Sequence, residues 1–477
     1  MVSFLVYDLV FLAAFVVFFT VFLATRKKNL KRDGLMILYR TSWGMKLIDY
    51  IGNKYKKTLD FLSYLSIAMG YFLMAGVFYL IYTILKIYLF NPSIVRAIKV
   101  PPILPLVPYL PQVFSLDFLP PFFFTYWIVI LAVIAISHEM AHGIFMRRYN
   151  IKIKSTGFAF FPYFLPIFPA AFVEQDEKSL VKTSKFKQMA VLSAGTFANV
   201  ITAAFFFVIL IIFFSLAFTS SGIVFDSYAT STIAIAGVSS VNGIPVSNLS
   251  YQGLLDEIGE GEELSEINIG KNNYLINSQI LGNQEDNEGK IIVYNSAPAI
   301  KEGLSSIITK INGVDIDSLD KLISELKKYG PGEEVVVTTL VDEGFQEDTI
   351  VLGEHPEHEG QSWLGIGFFD RSRSGLFGNI VDKISSFKKP NVHYEPNFSG
   401  GSLFVYNLLW WMILISISVA FVNMLPVGLF DGGRFFYLTI LAITKNEKIA
   451  KRAFAFSTSF FIFVLFLLMA FWAISFF

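Results

Sequence analysis

Hydrophobic residues along this chain form long uninterrupted runs separated by polar loops. A helix needs about 20 apolar residues to cross the roughly 30 Å hydrocarbon core of a bilayer. Six runs reach that length, at 3–25, 61–90, 121–146, 188–219, 403–427 and 453–476. The first run lacks the small-residue cleavage site of a signal peptide, so we expect a retained span. The pattern predicts a polytopic α-helical membrane protein with about six transmembrane helices.

One long polar segment, 220–402, separates the fourth run from the fifth. Within it, β-rich runs flank Asn312-Gly313, a pair typical of a tight hairpin. Apolar residues at helical spacing then predict a helix from Leu319 to Lys328. The segment is therefore expected to fold as an inserted α+β domain. By contrast, the linker 100–121 is rich in Pro and is expected to be extended and non-helical.

Charge gives the expected orientation, because Lys and Arg concentrate in cytoplasmic loops. The loop 26–60 holds ten basic and three acidic residues, and 147–187 holds eight and three. The loop 428–452 is also basic, whereas 220–402 holds 27 acidic and 12 basic residues. We therefore expect 220–402 outside the membrane, with 91–120. The formal net charge of zero is the sum of an acidic outer domain and a basic cytoplasmic face.

Composition narrows the chemistry that is available. The chain is 54% hydrophobic and 16% charged, which argues against disorder and against a nucleic-acid-binding arm. It has no Cys, which excludes disulfides, a thiol nucleophile and Cys-ligated metals. Any zinc or iron site must use carboxylates and some of the five His. The lack of Cys in a protein with a large outer domain also favours a prokaryotic or archaeal cell membrane.

The third run carries ionisable residues at membrane depth. His138, Glu139 and His142 form the pattern H-E-x-x-H. On a helix both His lie on one face and can reach one metal ion, with Glu139 beside them. Zinc lowers the pKa of a bound water to roughly 7, so a neighbouring carboxylate can accept its proton. Because buried ionisable groups are costly, they indicate a functional site; the alternative is that they pair with polar groups of the bundle.

A catalytic zinc usually takes a third protein ligand. The other three His lie in the polar segment, and Asp8 lies near the outer end of the first span. Asp431 remains, at the cytoplasmic end of the fifth span. Pro and Gly residues between 426 and 433 interrupt the helix there, and broken backbone at membrane depth is tolerated where it lines a cavity. The alternative is that Asp431 caps a helix at the interface.

Two Asn residues also lie in predicted spans. Asn199 follows the small residues Ser193 to Gly195 in the fourth run, and Asn423 lies in the fifth. Either amide could hydrogen-bond a substrate carbonyl or a developing oxyanion. The alternative for both is an interhelical hydrogen bond.

Three motifs now stand in order: H-E-x-x-H, G-x-x-x-N at 195–199, and N-x-x-P-x-x-x-x-D-G-G at 423–433. With these motifs, and with segment 157–173, the chain resembles the eukaryotic and archaeal branch of the site-2 proteases, a family of intramembrane zinc metalloproteases. The resemblance implies one zinc ion per chain, bound by His138, His142 and Asp431, with Glu139 as general base. It also implies that Asn199 and Asn423 lie near the substrate backbone.

The resemblance implies an endopeptidase that cleaves transmembrane segments of other membrane proteins, with or without a prior cleavage, in regulated intramembrane proteolysis. A helical substrate hides its amides, so it must unwind or pair as a strand. The segment 151–175, with its β-like start, is the expected edge for that pairing. The alternative function is a non-proteolytic membrane adaptor or pseudoprotease.

The expected domains follow from these features. Residues 1–120 hold two helices, a cytoplasmic loop and the Pro-rich outer linker, and 121–219 holds the catalytic helices. The outer region 220–402 resembles a PDZ domain most clearly at 288–352, and 403–477 holds the last helices. A fainter echo within 230–285 is either a second PDZ-like unit or a split half. A PDZ groove would take a peptide or a substrate ectodomain; the alternative is a folded plug that binds no peptide.

Overall fold

The computed structural model describes most of the chain. The described residues are 4–26, 30–33, 36–91, 95, 101–102, 104–116, 118–160, 169–259, 261, 263–270, 272–284, 289–342, 344–369, 371 and 375–474. They form two compact units, Met1–Phe213 with Leu403–Phe477, and Phe214–Ser402. Residues 161–168, within the segment 157–173 that carries part of the family resemblance, lie outside the described residues.

The elements up to residue 217 are mainly long helices. In chain order they are α1 (Phe4–Thr25), β1 (Leu30–Asp33), β2 (Met36–Thr41), α2 (Met45–Lys54), α3 (Lys56–Phe90), α4 (Leu110–Val113), α5 (Phe124–Arg148), β3 (Ile153–Phe160), β4 (Pro169–Gln175), α6 (Glu177–Val181) and α7 (Lys185–Ala217).

The elements from residue 218 to 396 are mainly short strands. They are β5 (Phe218–Val224), β6 (Ser227–Tyr228), β7 (Thr230–Ala234), β8 (Ser240–Val241), β9 (Ile244–Pro245), α8 (Tyr251–Ile258), β10 (Ser265–Ile269), β11 (Asn272–Ile276), α9 (Ser278–Gly282), β12 (Lys290–Asn295), α10 (Pro298–Lys301), β13 (Ile307–Ile311), β14 (Val314–Asp315), α11 (Leu319–Leu326), β15 (Glu334–Val341), β16 (Gly344–Val351), β17 (Gly353–His355), β18 (His358–Trp363), β19 (Ile366–Gly367), α12 (Gly375–Ser385) and β20 (Val392–Pro396). Three helices follow: α13 (Gly400–Asn423), α14 (Asp431–Thr444) and α15 (Glu447–Ile474).

Among the described helices, six are long and apolar enough to cross a membrane: α1, α3, α5, α7, α13 and α15. They correspond to the six predicted runs. The largest difference is at the start of α15, which begins at Glu447 and not at the predicted residue 453. The apolar pattern misses the start of this helix, because the residues before 453 are helical but several of them are charged. The chain is an integral, multi-pass membrane protein.

The Pro-rich linker is not wholly extended, and that prediction was wrong for one turn. Helix α4 lies inside it, with Pro111 in the first turn. Proline is tolerated there because its missing N–H would have had no helical partner. Residues 100, 103 and 117 of the linker lie outside the described residues.

Asp8 connects α1 to the start of α5. Its carboxylate is buried and accepts hydrogen bonds from the backbone N–H groups of Phe124, at 2.8 Å, and Thr125, at 2.9 Å. The hydroxyl of Tyr109 donates a third bond, at 2.6 Å. The first N–H groups of a helix have no helical acceptor, and a negative charge at that end is favourable. Asp8 therefore fixes the N-terminal end of the helix that carries H-E-x-x-H.

A four-stranded antiparallel sheet packs beside α5, in the order β1-β2-β3-β4. Strand β2 is followed directly in the chain by α2. Gly157 in β3 is required for the pairing, because a Cβ there would lie 2.1 Å from the carbonyl oxygen of Tyr39. Strand β4 is one edge of this sheet, as expected for part of 151–175.

The unit Phe214–Ser402 contains two six-stranded sheets. One has the order β7-β12-β11-β10-β8-β9, and the other has the order β16-β15-β13-β5-β20 with β14 paired to β13. Each sheet covers its own apolar core, and the two cores share no residue. The predicted hairpin at Asn312-Gly313 is present as β13 and β14, and the predicted helix is α11, which ends two residues early at Leu326.

The same local structure occurs twice in this unit, 70 residues apart. Asn242 and Asn312 both adopt positive φ, 49° and 47°, and a Gly with positive φ follows each. The Asn242 side-chain oxygen accepts a bond from the N–H of Glu266 at 2.8 Å, and the Asn312 oxygen accepts one from Val336 at 2.7 Å. In both copies a short strand, a helix and a β-hairpin follow, and the strand before each Asn pairs with that hairpin in the same register. This equivalence favours a duplicated unit over one split half.

Candidate metal centre

His138 and His142 lie one turn apart on α5, and both are buried. Their Nε2 atoms are 3.0 Å apart, so the two rings converge on one point. This is the consequence expected of a spacing of four residues on a helix. The H-E-x-x-H prediction therefore corresponds to a real convergence of two imidazoles.

Asp431 completes the group from a different helix. It is the first residue of α14, and its Oδ2 lies 3.4 Å from Nε2 of His138 and 3.2 Å from Nε2 of His142. Two glycines follow it because α14 starts in close contact with the preceding loop. A Cβ at Gly432 would lie 2.3 Å from the carbonyl carbon of Met424, and the space at Gly433 is equally limited. The Asp-Gly-Gly sequence thus lets the carboxylate reach the His pair.

These three residues fit a zinc ion. One ligand atom from each lies within 4.8 Å of the others. Zinc bonds of about 2.0–2.2 Å in tetrahedral geometry place ligand atoms roughly 3.3 Å apart, and two imidazoles with one carboxylate form a known catalytic donor set. Gly195 on α7 leaves the space open, because a Cβ there would lie 2.5 Å from both Nε2 atoms.

The backbone of α7 sets the tautomer of His142. Its Nδ1 lies 2.7 Å from the carbonyl oxygen of Val191. A carbonyl can only accept, so Nδ1 carries the proton and donates it. Nε2 is then the unprotonated nitrogen that a metal requires.

Asn199 of α7 lies beside the ring of His138. Its amide nitrogen lies 3.1 Å from Nδ1 of His138, while its Oδ1 is buried and has no partner among the described residues. Rotation of the amide by 180° would turn Oδ1 towards Nδ1 and give that oxygen a donor. In that orientation Nδ1–H of His138 donates to Asn199, and Nε2 is free for metal. The position of Asn199 thus favours a role in orienting a ligand.

Glu139 contacts the sheet. Its Oε2 accepts a hydrogen bond from the backbone N–H of Val173 in β4, at 2.9 Å. That N–H points away from the sheet, because it bonds to the helix and not to β3. The other carboxylate oxygen makes no hydrogen bond to any described residue. Glu139 is therefore held at the outer edge of β4, with one oxygen available.

An ion pair holds the next residue of β4. Glu174 lies 3.0 Å from the guanidinium of Arg40 in β2 and accepts a bond from the Ser155 hydroxyl at 2.8 Å. Partial burial acts to raise the pKa of Glu174, but the Ser155 bond and the Arg40 charge outweigh it and hold that pKa below its usual value. The carboxylate is thus charged at neutral pH and anchors the edge strand to the rest of the sheet.

Asn423 does not join this group directly. It is half-buried as the last residue of α13, and its side chain makes no hydrogen bond within the part of the chain described. Sequence reasoning also missed two contributors, the Val191 carbonyl and the Val173 N–H. Backbone groups leave no residue-type signal, so no pattern could have indicated them. From sequence, Gly195 was noted only as a small residue and as the first residue of the G-x-x-x-N motif.

Residues 126–354 and 372–468 match the family model for peptidase family M50. The chain belongs to this family. The match covers the helices that bring His138, His142 and Asp431 together, and the resemblance to site-2 proteases is confirmed.

This M50 protein is also similar to the zinc metalloprotease RasP of Shouchella clausii (strain KSM-K16). The two are 26% identical over 174 residues, which is 31% of this chain and 41% of the relative. The chain thus matches about two fifths of the length of that curated relative.

Proposed function

We propose that this M50 protein is an intramembrane zinc metalloendopeptidase that cleaves transmembrane segments of other membrane proteins. One observation carries the proposal: His138, His142 and Asp431, from two helices, bring their ligand atoms within 4.8 Å of one another. Glu139 lies beside them on α5. The matches to family M50 and to a zinc metalloprotease support the same conclusion.

The donor set would hold one zinc per chain. When bound, zinc supplies Lewis-acid chemistry, which polarises a carbonyl and lowers the pKa of water. Glu139 accepts the proton of the attacking water through its free oxygen and later donates it to the leaving amine. The Val173 bond keeps Glu139 in one orientation during both transfers. Asn199 and the Val191 carbonyl orient the two imidazoles.

Strand β4 is the proposed docking edge for the substrate. It pairs on one side with β3, and its other edge carries the Val173 N–H that reaches Glu139. An unwound substrate segment that adds to this edge passes next to the candidate zinc position. Asn423, whose amide makes no hydrogen bond to any described residue, is the proposed second contact to the substrate backbone.

The unit Phe214–Ser402 is proposed to bind a peptide or a substrate ectodomain in a PDZ-like manner. An apolar groove of about 250 Å³ lies between α11 and the segment 361–368. Leu319 and Ile323 of the helix face Ile366 and Phe368 across it. Such a groove between a helix and a strand suits an extended peptide.

The deciding experiment replaces Glu139 with Gln. The protein is co-expressed with a panel of single-span membrane proteins, and products cut within the span are identified by mass spectrometry. Glu139→Gln should retain one zinc per chain and lose cleavage, because the amide cannot accept the water proton. Glu447→Gln, which changes an exposed carboxylate at the start of α15, should still cleave.

Retained cleavage by Glu139→Gln would contradict the assigned mechanism. The adaptor alternative makes different predictions. It requires that the purified wild type lacks zinc, or cuts no substrate, while it still binds partner peptides. Zinc analysis after His138→Ala separates the two, since loss of the metal together with cleavage supports the protease.

A further inference from the structure

An apolar cavity of about 340 Å³ lies beside the Glu139 site, between α1, α5 and the β3–β4 hairpin. Phe15, Phe18, Phe19 and Phe22 of α1 form one wall. Small and aliphatic residues of α5 form the opposite wall. The volume falls at the lower end of the range of about 300–1,000 Å³ that is typical of small-ligand pockets.

This cavity adjoins the pocket that contains Glu139. Ile136, Phe158 and Ala171 line both. On α5, the cavity residues Ala132, Ala135 and Ile136 precede Glu139 by seven, four and three residues, and these spacings place all four on one helix face. At about 1.5 Å per residue, the wall begins within roughly 5 Å of Glu139 and extends along the helix.

The same relation holds along the sheet edge. Val173 of β4 donates to Glu139, and Ala170 and Ala171 of the same strand line the cavity. A strand advances about 3.3 Å per residue, so a chain paired with β4 passes from Glu139 to the cavity within two to four residues. Successive side chains point to opposite faces, so one side chain in two would face the cavity.

We propose that this cavity is a specificity pocket that binds one bulky apolar side chain of the substrate, two to four residues from the scissile bond. The inference rests on the proteolysis proposed above. Lipid is as apolar as the cavity, so transfer of a side chain from the lipid into the cavity contributes little hydrophobic free energy. The gain comes instead from dispersion contacts with the Phe rings, which depend on how well the side chain fills the space. The pocket should therefore select by volume.

The test uses a single-span substrate that the wild type cleaves. Each of the six residues on either side of the cut is changed in turn to Ala, Leu and Phe, and initial cleavage rates are measured by mass spectrometry. The wild type should prefer Leu or Phe over Ala by about 10-fold or more at one position, two to four residues from the cut.

Ala135→Phe fills the cavity and should reverse this preference to Ala at that position while leaving the other positions unchanged. Ala14→Phe is the matched control, because Ala14 is exposed on α1 and does not line the cavity. It should retain the wild-type profile. If Ala135→Phe binds zinc but cleaves nothing, a second variant is used. Phe19→Ala enlarges the cavity, and Trp is added to the set of substrate substitutions. Phe19→Ala should then accept Trp.

An unchanged preference in both cavity variants, or no preference in the wild type, would overturn the pocket. A phospholipid that co-purifies with the wild type but not with Ala135→Phe, together with unchanged preferences, would identify the cavity as a lipid site instead. Failure of the wild type to cleave any substrate would refute proteolysis itself, and the pocket with it. Cleavage with unaltered selectivity refutes the pocket alone.

Discussion

Gly195→Ala tests the metal centre at the point where α7 approaches the His pair. The new Cβ would lie 2.5 Å from Nε2 of His138 and 2.5 Å from Nε2 of His142. Ordinary van der Waals contact begins at 3.4 Å. The rings or the helix must therefore move by about 0.9 Å to restore it, the difference between these distances. Zinc–ligand distances hold within about 0.2 Å, so the displacement is several times larger than the site can absorb.

We expect Gly195→Ala to lose zinc affinity by at least the 10–100-fold seen when a ligand's supporting contacts are removed. The assay is a competition between purified protein in detergent and a zinc chelator, with circular dichroism to verify that the helices are intact. Gly401→Ala is the matched control, since no atom lies within 4 Å of its added Cβ. If Gly195→Ala binds one zinc per chain with wild-type affinity, the assigned ligand geometry is wrong.

Three further predictions concern residues around the site and in the second unit. Asn199→Ala should weaken zinc binding by about 10–100-fold in the same chelator competition, because His138 loses its hydrogen-bond partner. Asn199→Asp keeps an acceptor and should retain most of the zinc affinity. Equal losses in the two variants would contradict the orienting role. Asp8→Asn should lower the thermal unfolding midpoint in detergent while the folded protein keeps one zinc, and an unchanged midpoint would show that the hydrogen bonds to the start of α5 contribute nothing. Burial acts to raise the pKa of Asp226, but its hydrogen bonds, one of them from Arg371, hold it below its usual 3.8. A carboxylate whose pKa is lower in the folded than in the unfolded protein stabilises the fold at pH values above its pKa in the unfolded protein. That stabilisation is lost as the pH falls through its pKa in the folded protein. Asp226→Asn should therefore reduce hydrogen-exchange protection of 218–402 at pH 7, and the difference from wild type should shrink below pH 3.8; a difference independent of pH would contradict the argument.

Long-range contacts were the least accessible part of the fold from sequence. The strands β1 and β2 were not recognised, because they are short and occur in a basic loop whose charges were used only for orientation. Strand β1 pairs with β2, but β2 pairs with β3, more than a hundred residues later, and helices α2, α3 and α5 lie between them in the chain. In the second unit, the fainter PDZ-like echo within 230–285 contains Asn242. Its equivalence to Asn312 became clear only from the shared register and the same side-chain hydrogen bond.

By itself, the sequence determined the features that are written in local spacing. Runs of apolar residues specify helices that cross the bilayer. Hydrocarbon offers no hydrogen-bond partner to the backbone, so a spanning segment must form its own helical bonds, and about 20 residues are long enough to cross. A spacing of four places His138 and His142 on one face, and ionisable residues at such depth indicate function.

Only the tertiary structure decided how these pieces meet. Asp431 and the His pair are almost 300 residues apart in the chain, and their ligand atoms converge because glycines remove the side chains that would hold the helices apart. The structure also placed Asn199 beside the His138 ring, while its contact with substrate stays a prediction, and it connected Glu139 to a backbone N–H of β4. Backbone partners and close approaches depend on packing between distant segments, which no local pattern records.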